Sequence, residues 1–164
     1  DGTIYGAQAL GQEGVDKRID VIATAIKGNL TIYDLQEIEV AYAPPYNAAK
    51  DPVNILGYVA ENMLNDDARL VNYDELDEYL AAENGILIDV RTKTEFENGA
   101  IPNAIHMDVD TLRENLDFFD KNKKYVIYCQ IGLRGYLAQR ILRNNDIDSV
   151  NLNGGYGLWK PVNS

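Results

Sequence analysis

The sequence predicts an α/β protein whose second half forms a parallel sheet flanked by helices, preceded by a partial α+β segment. Two apolar runs, residues 86–90 and 125–128, have the length and continuity of strands buried on both faces. Helical patterns separate and follow these runs, and strands alternating with helices are typical of a parallel sheet. A polar break at residues 65–67 divides the halves, so we expect domains at residues 1–68 and 69–164.

The first half contains one strand-like and three helix-like segments. An apolar stretch bounded by glycines predicts a strand at residues 4–10. Apolar residues then recur at helical spacing until a lysine and a glycine mark a helix end. The three helices are expected at residues 15–27, 33–38 and 53–64.

The second half alternates between the two kinds of element. Strands are expected at residues 86–90, 105–109, 125–128 and 149–152. Helical segments are expected at residues 74–82, 94–98, 111–119 and 133–143. Asp74 would cap the first of these helices, with Asp77 three residues further on. Ordered structure is expected to end at Trp159.

Composition excludes several classes of function. The net charge is −11 and the acidic residues are spread over both halves, which argues against nucleic acid or an anionic membrane as a partner. One cysteine excludes an internal disulfide, and with His106 as the single histidine no metal site is expected. The chain starts without methionine or a charged-then-apolar leader, so we expect an excised piece of a longer cytoplasmic protein.

Cys129 is the strongest candidate for chemistry. It ends the predicted strand 125–128 and precedes a loop with Gly132 and Gly135 that leads into a helix. In open α/β sheets ligands bind at the carboxyl ends of strands, and a loop entering a helix turns backbone N–H groups inward. These groups stabilise a thiolate, and Arg134 adds a forked donor suited to an oxyanion. The sequence therefore predicts a nucleophilic cysteine.

The second half resembles the rhodanese homology domain over nearly its whole length. Five motifs carry the resemblance, and each is weak alone but specific when all five occur in order. They are Asp89-Val90-Arg91, Glu95-Phe96, Ile101-Pro102-Asn103-Ala104, the C-x4-R loop from Cys129 to Arg134, and Gly154-Gly155-Tyr156. Ala100 and Asn103 depart from the histidine and glycine usual at those positions, and we expect only minor effects on that turn.

The resemblance implies a ping-pong transfer of sulfane sulfur from thiosulfate, a polysulfide or a persulfide to a thiol acceptor. Cys129 would carry the sulfur as a persulfide, with Arg134 at the oxyanion. Asp89 and Arg91 would brace the sheet end and the loop. The backbone of the loop would bind the substrate through Gln130, Ile131, Gly132, Leu133 and Gly135. Because Gln130 and Leu133 are uncharged, the rim favours a neutral or persulfidic donor over thiosulfate.

Two alternatives remain. Tyrosine-phosphatase-like enzymes and their rhodanese-fold relatives use a C-x5-R loop, and the shorter loop here suits a sulfur atom better than a phosphate. The domain could instead be a non-catalytic docking or dimerisation module with an idle cysteine. Inactive copies usually lose the cysteine, and this chain keeps it together with Gly132 and Arg134.

The first half resembles the end of the dimerisation domain of flavin-dependent pyridine nucleotide-disulfide reductases, in the coenzyme A disulfide reductase, NADH oxidase and persulfide reductase branch. The carrying segments are residues 5–8, 14–20, 42–46 and 50–54. The resemblance implies that Tyr46 or Tyr42 reaches a partner subunit's coenzyme A site in an intact homodimer. FAD, NAD(P)H and CoA would bind the missing flavin and nicotinamide domains, and this chain, which lacks a G-x-G-x-x-G stretch, would hold no cofactor.

Overall fold

A computed structural model describes residues 1–163 and divides the chain into two compact units. The first unit spans residues 1–67 and the second begins at Ala68. This division lies next to the polar break at residues 65–67. Each unit has its own buried core, and each is described separately below.

The first unit contains three helices around a small apolar core. The helices are α1 (Val15–Lys27), α2 (Ile32–Glu37) and α3 (Pro52–Leu64), as predicted to within one residue at each end. The core of this unit consists of Ile22, Ala25, Leu35 and Val53.

Polar caps fix the start of α3 and its contact with α2. Asp51 caps α3 by accepting a hydrogen bond from the Val53 N–H at 3.0 Å, and Arg18 of α1 pairs with the same carboxylate. The buried Asn54 donates to the carbonyls of Leu35 and Ile38, both at 2.9 Å. These bonds satisfy carbonyl groups at the end of α2 that have no partner within the helix.

The strand predicted at residues 4–10 is wrong. Within residues 1–67 the extended backbone forms a single bridge, between Thr3 and Thr31. Tyr5 and Leu10 are 88% and 102% exposed, so this stretch buries neither of its large apolar side chains. A strand needs a neighbour to pair its backbone groups, and this unit offers none along residues 4–10.

The second unit is built on five parallel strands, as expected for the predicted fold class. In chain order they are β1 (Leu70–Val71), β2 (Ile86–Asp89), β3 (Ile105–His106), β4 (Tyr125–Tyr128) and β5 (Ser149–Leu152). Their order in the sheet is β1-β5-β4-β2-β3. Asp89 at the end of β2 pairs in register with Tyr128 at the end of β4. The carboxyl ends of the two central strands therefore meet at one edge of the sheet.

Helices cover both faces of this sheet. They are α4 (Leu76–Ala82), α5 (Lys93–Glu97), a 3-10 helix (Leu112–Phe118), α6 (Leu133–Arg143) and α7 (Gly155–Val162). One face packs residues such as Ile88 and Ile127 against Ala138 and Leu142 of α6. The other face packs Leu87, Val126 and their neighbours against α4 and α7. Burial on both faces explains why β4 has only apolar or aromatic residues, and why β2 is apolar up to its last residue, Asp89.

Four elements differ from the sequence prediction. Strand β1 was missed because it has only two residues, and β3 ends at His106 rather than at residue 109. Helix α4 begins after Glu75, so Asp74 does not cap it. Helix α7 was missed because its glycine-rich start resembles a loop, yet Gly154 and Gly155 adopt left-handed conformations that lead into it. Among residues 1–163 no helix is long and apolar enough to cross a membrane.

The turn before β3 provides a test of backbone strain. Asn103 has a φ of 65° in the turn closed by the bond from the Ala104 N–H to the Ile101 carbonyl. Asn103→Ala should lower the free energy of unfolding by about 1 kcal/mol, and Asn103→Gly should change it by less than about 0.5 kcal/mol. Urea unfolding followed by Trp159 fluorescence reports this unit alone, because the sequence has one tryptophan. Equal stabilities for the two variants would contradict this explanation.

Candidate active site

Cys129 lies directly after β4, and its side chain belongs to the core on the α6 side of the sheet. The residue is 1% exposed. The backbone N–H of Gly132 donates to Cys129 Sγ at 3.1 Å. The thiol is therefore buried but is directed at an inward N–H group, and not away from the loop. The first N–H groups of α6 have no partner within that helix and add positive partial charge beside the loop.

The loop exposes its side chains and turns its backbone inward. Ile131 and Leu133 are 74% and 64% exposed, which makes the rim of the site apolar. Gly132, with a φ of 120°, reverses the chain so that its N–H reaches the sulfur. Contacts from Ile131 and Leu133 to a sulfur atom would therefore come through backbone groups.

Helix α7 fixes the start of the loop. The N–H groups of Tyr156 and Gly157 donate to the carbonyls of Cys129 and Gln130, each at 2.8 Å. Gly155 has a φ of 56°, and a Cβ on this residue would stand 2.3 Å from the Cys129 carbonyl oxygen. Only glycine permits this approach, which explains why the Gly154-Gly155-Tyr156 motif belongs to the site.

Asn151 fixes the end of the loop, and the sequence prediction missed it. This buried residue of β5 donates from Nδ2 to the Gly132 carbonyl at 3.1 Å. A Cβ on Gly135 would stand 2.1 Å from Asn151 Oδ1, so helix α6 packs closely on this amide. The available signal was a polar residue within a short, fully buried strand that ends beside the loop.

Asp89 and Arg91 form a buried ion pair behind the loop. Their side chains are 0% and 2% exposed, and Arg91 Nη2 lies 2.6 Å from Asp89 Oδ2. Arg91 also donates to the Gly99 carbonyl at 2.7 Å and lies 4.1 Å from the Tyr156 ring centroid. Its Nη1 is 3.4 Å from Gln130 Oε1. Burial opposes the charged guanidinium, yet the hydrogen bond and charge of Asp89 raise the pKa of Arg91.

Arg134 lies beside the thiol but is engaged by Glu95. Two parallel hydrogen bonds of 2.7 Å join its Nη1 and Nη2 to the two carboxylate oxygens of Glu95. The Arg134 hydrogen bond is the largest cause that lowers the pKa of Glu95, from 4.5 to about 2. Glu95 in turn raises the pKa of Arg134, to which the charge of Cys129 and a hydrogen bond with it also contribute. The structure places Arg134 near Cys129, as the sequence predicted. The prediction missed Glu95 as the partner of Arg134, because the two residues are 39 positions apart in the chain.

The two tyrosines predicted to reach a partner subunit belong to the first unit. Tyr46 is 84% exposed and Tyr42 is 51% exposed, and the Tyr46 N–H donates to the Ala43 carbonyl at 2.8 Å in the turn between α2 and α3. Their role therefore stays a prediction.

Comparison with known proteins defines the class. The model of the rhodanese-like domain matches residues 72–161, more than half of the chain. The chain therefore belongs to the rhodanese family, and the resemblance proposed from its motifs is confirmed.

The chain is also similar to longer reductases, both among curated proteins and among solved structures. A coenzyme A disulfide reductase of Staphylococcus aureus (strain bovine RF122 / ET3-1) is 55% identical over 58 residues, which are 35% of this chain and 13% of the relative. The crystal structure of reduced Bacillus anthracis CoADR-RHD is 45% identical with a TM-score of 0.87, covering 93% of this chain and 27% of that one. The NAD-dependent persulfide reductase from A. fulgidus is 37% identical with a TM-score of 0.79, covering 91% and 26%. This chain thus spans about an eighth to a quarter of these relatives.

The buried ion pair should support the fold rather than the thiol directly. Asp89→Asn leaves Arg91 buried without its counter-charge, so the free energy of unfolding should fall by about 3 kcal/mol. Urea unfolding followed by Trp159 fluorescence measures this loss. Glu97→Gln serves as the control because it removes an exposed carboxylate instead of a buried one, and it should stay close to wild type. A loss for Asp89→Asn of less than about 1 kcal/mol would contradict the bracing role.

The contact between Glu95 and Arg134 should appear in the pH dependence of stability. Because folding lowers the pKa of Glu95 from 4.5 to about 2, the pair stabilises the fold fully above pH 4.5 and loses its effect as the pH falls towards 2. The difference in unfolding free energy between wild type and Glu95→Gln should shrink over that window. Glu97→Gln is the control, because exposed Glu97 pairs only loosely with Lys93 at 3.7 Å. A difference that is constant down to pH 2 would contradict the assignment.

Proposed function

We propose that the second unit is a sulfurtransferase that carries sulfane sulfur as a persulfide on Cys129. The observation that supports this most directly is the 3.1 Å contact from the Gly132 N–H to Cys129 Sγ. It combines a thiol at the carboxyl end of a central parallel strand with a donor that stabilises sulfur anions, at the start of α6. Membership of the rhodanese family is consistent with sulfur transfer.

The proposed chemistry needs no metal and no general base at the site. The Cys129 thiolate attacks the outer sulfur of the donor and a new S–S bond forms. The bond between that sulfur and the rest of the donor breaks, and its electron pair leaves with the donor as sulfite or a thiolate. An acceptor thiolate, whose proton has gone to solvent, then takes the outer sulfur and restores the Cys129 thiolate.

The surrounding residues would hold the charge that moves between these sulfurs. On the outer sulfur of the persulfide the charge would be stabilised by backbone N–H groups between Gln130 and Gly135, in the same way as Gly132 contacts Sγ. Arg134 would stabilise a departing oxyanion. Asp89 and Arg91 hold the loop from behind and would not contact the donor.

We further propose that the chain is the C-terminal part of a flavin-dependent coenzyme A disulfide or persulfide reductase. The names and coverage of its relatives support this, and a reducing cytoplasm would keep the thiol free. In a homodimer, Tyr46 or Tyr42 would reach the partner's coenzyme A site. FAD and NAD(P)H would not bind to this part of the protein, because its sequence lacks a G-x-G-x-x-G stretch. Those cofactors would belong to other domains.

One observation favours the second candidate, a non-catalytic docking module. Cys129 is 1% exposed, so a donor must displace part of the loop or its surroundings to reach Sγ. A cysteine without a catalytic role can stay buried. In a transferase the loop around Cys129 has to open transiently so that the donor reaches the sulfur.

Intact-mass spectrometry tests the proposal. Brief incubation with thiosulfate, or in parallel with glutathione persulfide, should add the mass of one sulfur atom to the wild type. Cyanide or dithiothreitol should remove the added sulfur. Because Cys129 is the only cysteine, the adduct can be assigned without mapping.

Cys129→Ser is the matched control and should gain no sulfur. If the folded wild type is alkylated at Cys129 by iodoacetamide but takes sulfur from neither donor, the transferase proposal fails and the docking module is favoured.

A further inference from the structure

The guanidinium of Arg134 has its forked face turned to Glu95. Both terminal nitrogens donate to the carboxylate at 2.7 Å, which is the geometry in which arginine binds a sulfonate or phosphate. A sulfonate group that approaches the thiol therefore has to compete with Glu95 for the same two donors.

Glu95 is held in place independently of Arg134. It is the third residue of the capping box at the start of α5, and its Oε2 accepts from the Thr92 N–H at 3.0 Å and the Thr92 hydroxyl at 2.8 Å. These bonds hold the Glu95 carboxylate in position without any contribution from Arg134. Glu95 is thus not a mobile side chain that an incoming anion would displace at no cost.

The neighbouring arginines do not replace Arg134. Arg91 is committed to Asp89 behind the loop, and the rim is formed by apolar Ile131 and Leu133. A groove of about 380 Å³ that reaches Arg134 also carries arginines, but acidic side chains line it too. The charged residues of this groove other than Arg134 are Arg113, Arg140, Asp108 and Asp110.

We propose that Glu95 determines donor specificity by occupying Arg134, so that the site discriminates against thiosulfate and favours persulfide donors. When thiosulfate reacts, its S–S bond breaks and the electron pair leaves on sulfite, whose oxygens need a forked cation. When a persulfide reacts, a single thiolate sulfur leaves and no such fork is needed. This inference rests on the proposed sulfur transfer and deepens it by naming the donor class.

Glu95→Gln tests the inference because glutamine keeps the capping box but gives up the charge. The readout is the initial rate of sulfur loading on Cys129, measured by mass spectrometry with thiosulfate and with glutathione persulfide. The rate with thiosulfate should rise by about tenfold, as expected for one charge-assisted hydrogen bond made available, and the rate with the persulfide should change by less than about twofold.

Glu97→Gln is the matched control. It removes one carboxylate from the same helix, where Glu97 is 62% exposed and pairs with Lys93 instead of Arg134. Its two rates should equal those of the wild type. An equal loss with both donors in Glu95→Gln would mean that Glu95 only positions Arg134, and an unchanged ratio of the two rates would likewise overturn the inference.

A binding measurement separates this inference from the proposed function. In a Cys129→Ser background no transfer can occur, so the rise in melting temperature with added thiosulfate reports anion binding alone. The rise should be larger in the Glu95→Gln variant than in the parent or the Glu97→Gln variant, at matched ionic strength. Equal rises would overturn the role of Glu95 even if the wild type transfers sulfur. A larger rise without sulfur loading by the wild type would support Glu95 as the competitor for anions while the transferase proposal fails.

Discussion

The site depends on a charge pair that is removed from water, Asp89 with Arg91. Taking two charges out of solvent is costly unless every donor finds an acceptor. Arg91 offsets much of this cost by donating to Asp89, the Gly99 carbonyl and Gln130, while its flat face lies over Tyr156. The pair thereby joins the end of β2, the following loop, the cysteine loop and α7. The pair therefore anchors the segments that surround the thiol without contacting the sulfur.

The loop itself is held at both ends by hydrogen bonds that no single segment could supply. Helix α7 donates to the carbonyls of Cys129 and Gln130, and Asn151 donates to the carbonyl of Gly132. With its carbonyls turned outward and occupied, the loop presents the Gly132 N–H to the sulfur. The orientation of the Gly132 N–H group is therefore set by two separate elements, helix α7 and strand β5.

Local features were predictable from the sequence and distant ones were not. The apolar runs of β2 and β4 and the helical face of α6 depend on neighbouring residues, and their bounds were predicted to within one residue. The two-residue strand β1 exists only because β5 pairs with it, and the strand expected at residues 4–10 has no such partner. At the site, motifs singled out Cys129, Arg134 and the Asp89–Arg91 pair as candidates, and the structure places them around one loop. The bond from Glu95 to Arg134 spans 39 residues, and no periodicity reports a contact of that kind.

Glu95 links two levels of structure that are usually treated separately. As the third residue of a capping box it fixes the start of α5, and as a carboxylate it neutralises the cation beside Cys129. A substitution that changes the charge at Glu95 therefore also has to preserve the cap of α5. Glutamine can make the capping hydrogen bonds, and alanine cannot. Both arginines near the thiol are already paired, Arg91 with Asp89 and Arg134 with Glu95. Under the proposed sulfur transfer, stabilisation of a sulfur anion at Cys129 would accordingly depend more on the oriented backbone N–H groups than on a free positive charge.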